Sequence, residues 1–216
     1  MAMEVKICGL TQERETQYLS LEKCKADYAG FVFFEKSKRN VSMQQAKKII
    51  TRLEGIKSVA VTVSPDVELV EDICNAGFDV LQVHKKLTEE VLAKTTIPVW
   101  YAFNISDKQE INSQRAFLNT LPENLLGKIQ GIVIDAADFG SGKTFEWNKV
   151  LKEEIGDIIE GRKFILAGGL NTDNLKQGIE LFEPDVVDVS SGVEKDGHKD
   201  EMLVNKFIKI AKGKEV

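Results

Sequence analysis

Short apolar runs alternate with longer amphipathic stretches along the whole chain. Eight runs, each four to eight residues long, are rich in Val, Ile and Phe, and we interpret them as β-strands. Because they are apolar on both faces, they are typical of buried strands in a parallel sheet that is covered on both sides. The predicted strands are Val5–Cys8, Tyr28–Phe34, Ser58–Val63, Val80–Val83, Val99–Phe103, Ile132–Asp135, Phe164–Ala167 and Val186–Val189.

Helical periodicity fills the intervals between these runs. Three of the predicted helices begin near residues that commonly cap helices, namely Ser42, Thr172 and Asp200, and another begins at Pro65 directly after Ser64. The predicted helices are Glu13–Cys24, Ser42–Leu53, Pro65–Asn75, Thr88–Lys94, Asp107–Leu121, Asn148–Ile159, Thr172–Phe182 and Asp200–Lys212.

Strand and helix therefore alternate eight times, which predicts an α/β fold. Eight units in 216 residues average about 27 residues each, near the lower limit for a (β/α)₈ TIM barrel. A doubly wound open sheet gives the same alternation, but it usually has fewer strands and a glycine fingerprint after strand 1, where this chain has only Gly9. No linker or charge block divides the chain, so we predict one compact barrel domain over residues 4–214.

Composition and charge argue against several classes of function. The chain has 29 Lys and Arg against 34 Asp and Glu, a formal charge of −5, so we expect no nucleic-acid partner. No basic segment followed by an apolar one opens the chain, and no apolar run approaches the roughly 18 residues of a membrane span. We therefore expect a cytoplasmic protein with no membrane partner.

The cysteines argue against disulfide and metal chemistry. Cys8, Cys24 and Cys74 cannot all pair, and none lies in a CxxC motif or with histidines at metal-ligand spacing. We expect a reduced protein that uses no metal and no cofactor. Cys24 and Cys74 fall within predicted helices, on faces that we expect to pack, so we interpret both as small buried residues.

Three polar residues stand at the ends of predicted strands, where barrels of this type place their active sites. Cys8 ends the first strand and Asp135 the sixth, and Arg39 follows the second. Each also has a purely structural interpretation: a small buried residue for Cys8, a turn cap for Asp135 and a solvated basic loop for Arg39.

Two glycine-bearing turns follow the seventh and eighth strands. One contains Gly168 and Gly169, and the other contains Ser191 and Gly192. Barrels that act on sugar phosphates commonly hold the phosphate in these two loops, with backbone N–H groups and a helix N-terminus. We expect a phosphate to lie against Gly169 and Gly192.

Four segments resemble, in order along the chain, the motifs of phosphoribosylanthranilate isomerase, the barrel enzyme of tryptophan biosynthesis. They are Lys6-Ile7-Cys8-Gly9-Leu10, Gly140-Ser141-Gly142-Lys143-Thr144-Phe145-Glu146-Trp147, Ala167-Gly168-Gly169-Leu170 and Asp188-Val189-Ser190-Ser191-Gly192-Val193-Glu194. The first two are specific in combination, whereas other phosphate-binding barrels share the glycine turns. The resemblance extends over the whole chain.

The resemblance implies the Amadori rearrangement of a small phosphoribosyl substrate, N-(5′-phosphoribosyl)anthranilate, to 1-(2-carboxyphenylamino)-1-deoxyribulose 5-phosphate, by a monomer or a homodimer. Cys8 would match the general base, Asp135 the general acid, and Arg39 the residue that meets the anthranilate carboxylate. Gln82-Val83-His84-Lys85 departs from the family's usual His-Gly after Gln-Leu in the fourth strand. The loop after the sixth predicted strand, called loop 6, begins with Ala136-Ala137-Asp138-Phe139, and we expect it to lie over the ligand.

The residue types fit this chemistry without the family name. Opening the furanose needs an acid at the ring oxygen, and the next step needs a base that removes the proton at C2′. A thiol has a pKa of about 8.5, so the base needs cationic or N–H-rich surroundings. The acid needs partial desolvation, which raises the pKa of a carboxyl group.

Three other functions compete with this one. The segment Gly140-Ser141-Gly142-Lys143 resembles part of a nucleotide P-loop, but Ala137 stands where its first glycine belongs, so we reject nucleotide hydrolysis. A metal-dependent epimerase, or a related lyase, needs converging ligands, and the chain has only His84 and His198 as histidines. A phosphate-binding barrel without catalysis would have lost one of the two proton-transfer groups, and both are present.

Strand parity adds one further expectation. Lys6 shares its parity with Cys8, so its side chain should point into the barrel, and Asp188 on the closing strand should do the same. A buried ammonium needs a counter-charge, so the sequence predicts that Lys6 and Asp188 form an ion pair.

Overall fold

The computed structural model of the chain describes residues 3–21, 24–104, 108–135 and 155–214. Eight of its strands form one closed sheet, and four very short strands form two separate hairpins. The strands are β1 (Glu4–Cys8), β2 (Ser20–Leu21), β3 (Cys24–Lys25), β4 (Tyr28–Phe33), β5 (Lys57–Val63), β6 (Val80–His84), β7 (Val99–Asn104), β8 (Ile129–Asp135), β9 (Lys163–Ala167), β10 (Val186–Val189), β11 (Glu194–Lys195) and β12 (His198–Lys199).

The helices of the described residues follow the barrel strands in sequence. A 3₁₀ helix at Glu13–Leu19 takes the first such position, and a short 3₁₀ turn at Ser191–Val193 follows β10. The α-helices are α1 (Met43–Ile50), α2 (Val67–Asn75), α3 (Glu89–Lys94), α4 (Lys108–Thr120), α5 (Glu123–Leu126), α6 (155–159), α7 (Leu175–Phe182) and α8 (Glu201–Ala211).

The predicted TIM barrel is confirmed. The parallel strands close in the order β1-β10-β9-β8-β7-β6-β5-β4, and each of the eight predicted strands is one of them. The largest boundary error is in β8, which begins at Ile129 rather than at Ile132. The single domain over 4–214 stays a prediction.

Of the four helix starts predicted from Ser42, Pro65, Thr172 and Asp200, two are confirmed and two are wrong. Ser42 and Asp200 cap α1 and α8 by accepting a backbone N–H three residues on. Helix α2 begins after Asp66, not at Pro65, because the Asp66 carboxylate accepts the N–H of Leu69. Helix α7 begins after Asn174 rather than at Thr172.

The reason for the late start of α7 is a turn built by one side chain. Oδ1 of Asn171 accepts the N–H groups of Asp173 and Asn174, at 2.8 and 3.2 Å. These bonds form a turn in place of the first turn of the helix. Asparagine side chains commonly form such turns with the backbone that follows them.

The predicted first helix, Glu13–Cys24, is wrong in its second half. The carboxylate of Glu15 turns back to accept the N–H groups of Thr11 and Gln12, which fixes a tight 3₁₀ start. After Leu19 the chain becomes extended and reverses, with β2 and β3 paired antiparallel. Cys24 therefore lies in a strand rather than in a helix, and it is half-buried.

Two apolar layers hold the barrel together. The larger lies between the outer face of the strands and the helices, and the smaller fills the barrel interior. Inside, Tyr28 and Trp100 pack edge to face with ring centroids 4.8 Å apart. Gly131 makes room for the indole, since a Cβ there would lie 2.5 Å from Cδ1 of Trp100.

The predicted ion pair inside the barrel is confirmed. Lys6 and Asp188 are register partners on β1 and β10, and Nζ of Lys6 donates to Oδ2 of Asp188 at 2.6 Å. The lysine side chain is fully buried and the aspartate side chain is 7% exposed. Burial lowers the pKa of Lys6, but Asp188 and Cys8 together more than offset this and hold the pKa above its ordinary value.

We expect Asp188→Ala to destabilise the fold by about 3–5 kcal/mol, because it leaves the Lys6 ammonium buried without its partner. Urea denaturation measures the loss, with Asp157→Ala as the control, since the Asp157 side chain is 63% exposed. The double variant Lys6→Met, Asp188→Leu should recover most of the stability because both charges are gone. Equal effects of the two Asp→Ala changes would contradict this account of the pair.

Candidate active site

A cavity of about 210 Å³ opens at the C-terminal ends of the barrel strands. It brings together five of the predicted site residues, namely Cys8, Asp135, Gly168, Gly169 and Ser191. The remaining lining residues are Gln82, His84, Ala167, Leu170, Asp188 and Ser190. The two other predicted site residues, Arg39 and Gly192, are not among those that line it.

A larger cavity, about 1270 Å³, opens at the opposite end of the barrel. Its lining contains six carboxylate side chains, among them Glu160 and Asp185, and only two cations, Arg162 and Lys163. Such a surface repels an anionic ligand, so size alone does not identify the site. The smaller cavity holds the titratable groups at the catalytic end of the fold.

The Cys8 thiol is buried at the end of β1, 8% exposed, beside the Lys6–Asp188 pair. Burial raises the pKa of the thiol, the Lys6 ammonium lowers it, the Asp188 carboxylate raises it again and the Lys199 ammonium lowers it. The balance lies above the ordinary value. The cationic surroundings that a base needs are present, but they do not overcome the effect of burial on the pKa of the thiol.

Asp135 at the end of β8 meets the predicted requirement for an acid. Burial raises the pKa of its carboxyl group, the negative charge of Asp188 raises it further, and Lys6 opposes both. Strands β9 and β10 separate β8 from β1 around the barrel. The thiol and the carboxyl group can therefore approach a ligand in the cavity from different sides.

Gln82 and His84 also face this cavity, and neither was assigned a role from the sequence. Burial, assisted by Lys6, lowers the pKa of His84 to about 4, so the ring is neutral near pH 7. Its Nε2 lies 2.9 Å from Nε2 of Gln82. Strand parity is the sequence feature that could have identified them, because residues 82 and 84 point to the same face of one strand and β6 ends at His84.

The two glycine turns are packed directly on each other. Gly168 and Gly169 have φ of +85° and +65°, a region that favours glycine. Gly192 needs no unusual φ, but a Cβ there would lie 1.9 Å from the carbonyl oxygen of Leu170. The close approach that requires glycine at residue 192 is thus the contact between the loops after β9 and β10.

Arg39 is not a solvated loop residue in this structure. Its Nε and Nη2 both donate to the carboxylate of Glu194, each at 2.7 Å. Lys199 donates to the same carboxylate and, at 3.0 Å, to the carbonyl oxygen of Ser190. The two turns contain no Arg or Lys, as the sequence shows, yet Lys199 reaches the second turn from β12.

Other predictions concern parts of the chain that are only partly described. The motif Gly140–Trp147, the loop residues Ala136–Phe139 and the predicted helix before residue 155 lie outside the described residues. Among the described residues, no group of three or more His, Cys, Asp or Glu side chains is arranged to hold a metal ion. Within those same ranges, no helix has the length and hydropathy needed to cross a bilayer.

Comparison with known proteins agrees with this geometry. A family model described as N-(5′-phosphoribosyl)anthranilate (PRA) isomerase matches residues 5–210. N-(5′-phosphoribosyl)anthranilate isomerase of Clostridium acetobutylicum is 37% identical over 213 residues, 95% of this chain and 96% of that protein. The isomerase of Streptococcus mutans is 39% identical over 212 residues, 97% of this chain and 98% of that protein.

Comparison with solved structures points to the same family. Phosphoribosyl anthranilate isomerase from Thermotoga maritima matches with a TM-score of 0.79 and 32% identity, over 98% of this chain and 99% of that one. A further structure of such an isomerase, in complex with reduced 1-(o-carboxyphenylamino)-1-deoxyribulose 5-phosphate, matches with a TM-score of 0.75 and 30% identity over the same shares. The chain belongs to the N-(5′-phosphoribosyl)anthranilate isomerase family.

Proposed function

We propose that the chain converts N-(5′-phosphoribosyl)anthranilate to 1-(2-carboxyphenylamino)-1-deoxyribulose 5-phosphate in tryptophan biosynthesis, with Asp135 as the acid and Cys8 as the base. One observation carries the proposal. A thiol and a carboxyl group of raised pKa line a single cavity together with the glycine turn after β9 and Ser191. A cytoplasmic location and a monomeric or homodimeric state belong to the same proposal.

The reaction needs two proton transfers in sequence. Protonated Asp135 donates to the ring oxygen, the C1′–O4′ bond breaks, and the nitrogen lone pair forms a cationic imine at C1′. The Cys8 thiolate then removes the proton at C2′, and the electron pair of that C–H bond neutralises the imine. The resulting enolamine becomes the aminoketose when its C2′ hydroxyl loses a proton and C1′ gains one.

We assign the substrate's phosphate to the two glycine turns. The backbone N–H groups of Gly168, Gly169, Ser191 and Gly192 are the donors that we assign to it, since the first three residues line the cavity and glycine allows a ligand to approach the backbone closely. The Lys199 ammonium, bonded to the Ser190 carbonyl, adds positive charge behind the second turn. Two buried ammonium groups, Lys6 and Lys199, thus lie close to this mouth and support an anionic ligand there, although the whole chain is acidic.

We expect Cys8→Ala and Asp135→Asn each to lower kcat by about 10²–10⁴-fold, because each removes a positioned proton-transfer group. Substrate affinity should change little, since neither group is assigned to hold the substrate. The loss of anthranilate-type fluorescence measures turnover, and Cys74→Ala, which lies in α2, is the matched control. A Cys8→Ala enzyme that keeps more than about a tenth of kcat would remove Cys8 from the base role.

Arg39 is assigned to the substrate carboxylate, and two substitutions test the assignment. Arg39→Ala should cost about 2–4 kcal/mol in kcat/KM, because it leaves one partner of a charge pair without the other. Arg39→Lys should raise KM, because an ammonium lacks the planar fork. Arg52→Ala is the control, since Arg52 forms an exposed surface pair with Glu13. An unchanged kcat/KM in Arg39→Ala would show that Arg39 does not bind the substrate carboxylate and has only a structural role.

Gly192→Ala should force apart the loops after β9 and β10, because the new Cβ would overlap the Leu170 carbonyl oxygen. We expect weaker binding of inorganic phosphate and a lower Tm, measured by calorimetry and thermal unfolding. The control is Gly156→Ala, since a Cβ at that position meets nothing within 4 Å. Equal phosphate affinity in the two variants would place the phosphate elsewhere.

A further inference from the structure

A buried carboxylate holds the Arg39 guanidinium by one of its two edges. Oε1 of Glu194 accepts Nε and Oε2 accepts Nη2, each at 2.7 Å, which is the side-on bidentate geometry of an arginine–carboxylate pair. The Glu194 side chain is only 9% exposed, whereas the Arg39 side chain is 30% exposed. The arginine thus meets solvent at the mouth while its partner is almost wholly covered.

Glu194 has a second anchor that does not depend on Arg39. Lys199, whose side chain is 1% exposed, donates to Oε1 of Glu194 and to the carbonyl oxygen of Ser190. Although burial raises the pKa of Glu194, the hydrogen bonds from Arg39 and Lys199 hold it below the ordinary value, so the carboxylate is charged near pH 7. The orientation of this carboxylate is therefore set by the β11–β12 hairpin.

The rest of the Arg39 side chain is directed by close packing. A Cβ at Gly9, the residue after Cys8, would lie 2.4 Å from Cδ of Arg39, so the arginine crosses the backbone beside the thiol. Within the described residues, Nη1 of Arg39 makes no hydrogen bond. Because Nε and Nη2 point at Glu194, the end-on edge formed by Nη1 and the second N–H of Nη2 stays open to a ligand.

We propose that Glu194 is a positioning residue that aims the open edge of Arg39 at a carboxylate on the substrate's aromatic ring. It thereby determines the preference of the enzyme for carboxylated ribosylamines. The inference rests on the proposed function, in which Arg39 binds that carboxylate. Lys199 supports the arrangement by fixing Glu194 from the opposite side.

The test compares two substrates in the same enzyme preparation. One is N-(5′-phosphoribosyl)anthranilate and the other is the corresponding phosphoribosyl aniline, which lacks the carboxylate. In Glu194→Gln an amide NH₂ faces the N–H groups of Arg39 or the ammonium of Lys199, so Arg39 loses its fixed orientation. We expect kcat/KM for the carboxylated substrate to fall about tenfold or more, and kcat/KM for the aniline substrate to fall less than about threefold.

The ratio of the two kcat/KM values separates positioning from folding, because an unfolded fraction lowers both values equally and cancels. In an Arg39→Ala background, Glu194→Gln should no longer change the ratio, since its effect passes through Arg39. Glu4→Gln is the matched control. Glu4 is paired with Lys163 at the other end of the barrel, and its replacement should leave the ratio unchanged.

Equal losses for both substrates in Glu194→Gln would overturn the inference and leave the proposed function intact. The inference also fails if Glu194→Gln changes the ratio just as much when Arg39 is absent. A wild-type enzyme that consumes neither substrate would instead overturn the proposed function itself.

Discussion

One buried ammonium organises the electrostatics of the barrel mouth. Lys6 pairs with Asp188 inside the barrel. It also affects the pKa of each cavity-lining group whose pKa departs from its ordinary value. It lowers the pKa of the Cys8 thiol, of the His84 ring and of the Asp135 carboxyl group. Because the low dielectric of the interior screens little, one charge can bias three groups on three strands.

The same pair also limits how strongly the site can favour a thiolate. Asp188 neutralises much of the Lys6 field, and Oδ1 of Asp188 has no hydrogen-bond partner among the described residues, so its negative charge is not fully compensated. It raises the pKa of both Cys8 and Asp135. A raised pKa suits Asp135 as the proposed acid, because it keeps the carboxyl group protonated. A raised pKa is unfavourable for Cys8 as the proposed base, because it disfavours the thiolate. The Asp188 carboxylate therefore favours one proposed role and opposes the other.

Features that depend on strand period or on local capping could be predicted from the sequence. Strand parity was enough to place Lys6 opposite Asp188, although 182 residues separate them, because a closed barrel brings the first and last strands together. Position at a strand end was likewise enough to place Cys8 and Asp135 at one mouth. The predicted helix boundaries were wrong where a side chain bonds to the backbone and changes its path, as the side chains of Glu15 and Asn171 do.

The partners of Arg39 could not be predicted in this way. Glu194 is 155 residues away, and no period links a loop after the second barrel strand to a hairpin after the last. Nothing in the local sequence distinguishes Lys199 from a surface lysine, yet its side chain is buried. Contacts between loops depend on the final path of each loop, which hydrophobic period does not encode.

The charges around the cavity favour acid catalysis as the first of the two proposed proton transfers. The Cys8 thiol has a raised pKa, so a sequence of steps that began with the base would start from the unfavourable protonation state. In the proposed reaction, ring opening by Asp135 creates a cationic imine at C1′, next to C2′, the carbon that Cys8 deprotonates. A thiol within reach of the C2′ proton would also lie close to that new positive charge, which would lower the pKa of the thiol and acidify the C2′ proton. In this proposal acid catalysis prepares the base, and a thiol of raised pKa can still serve the second step.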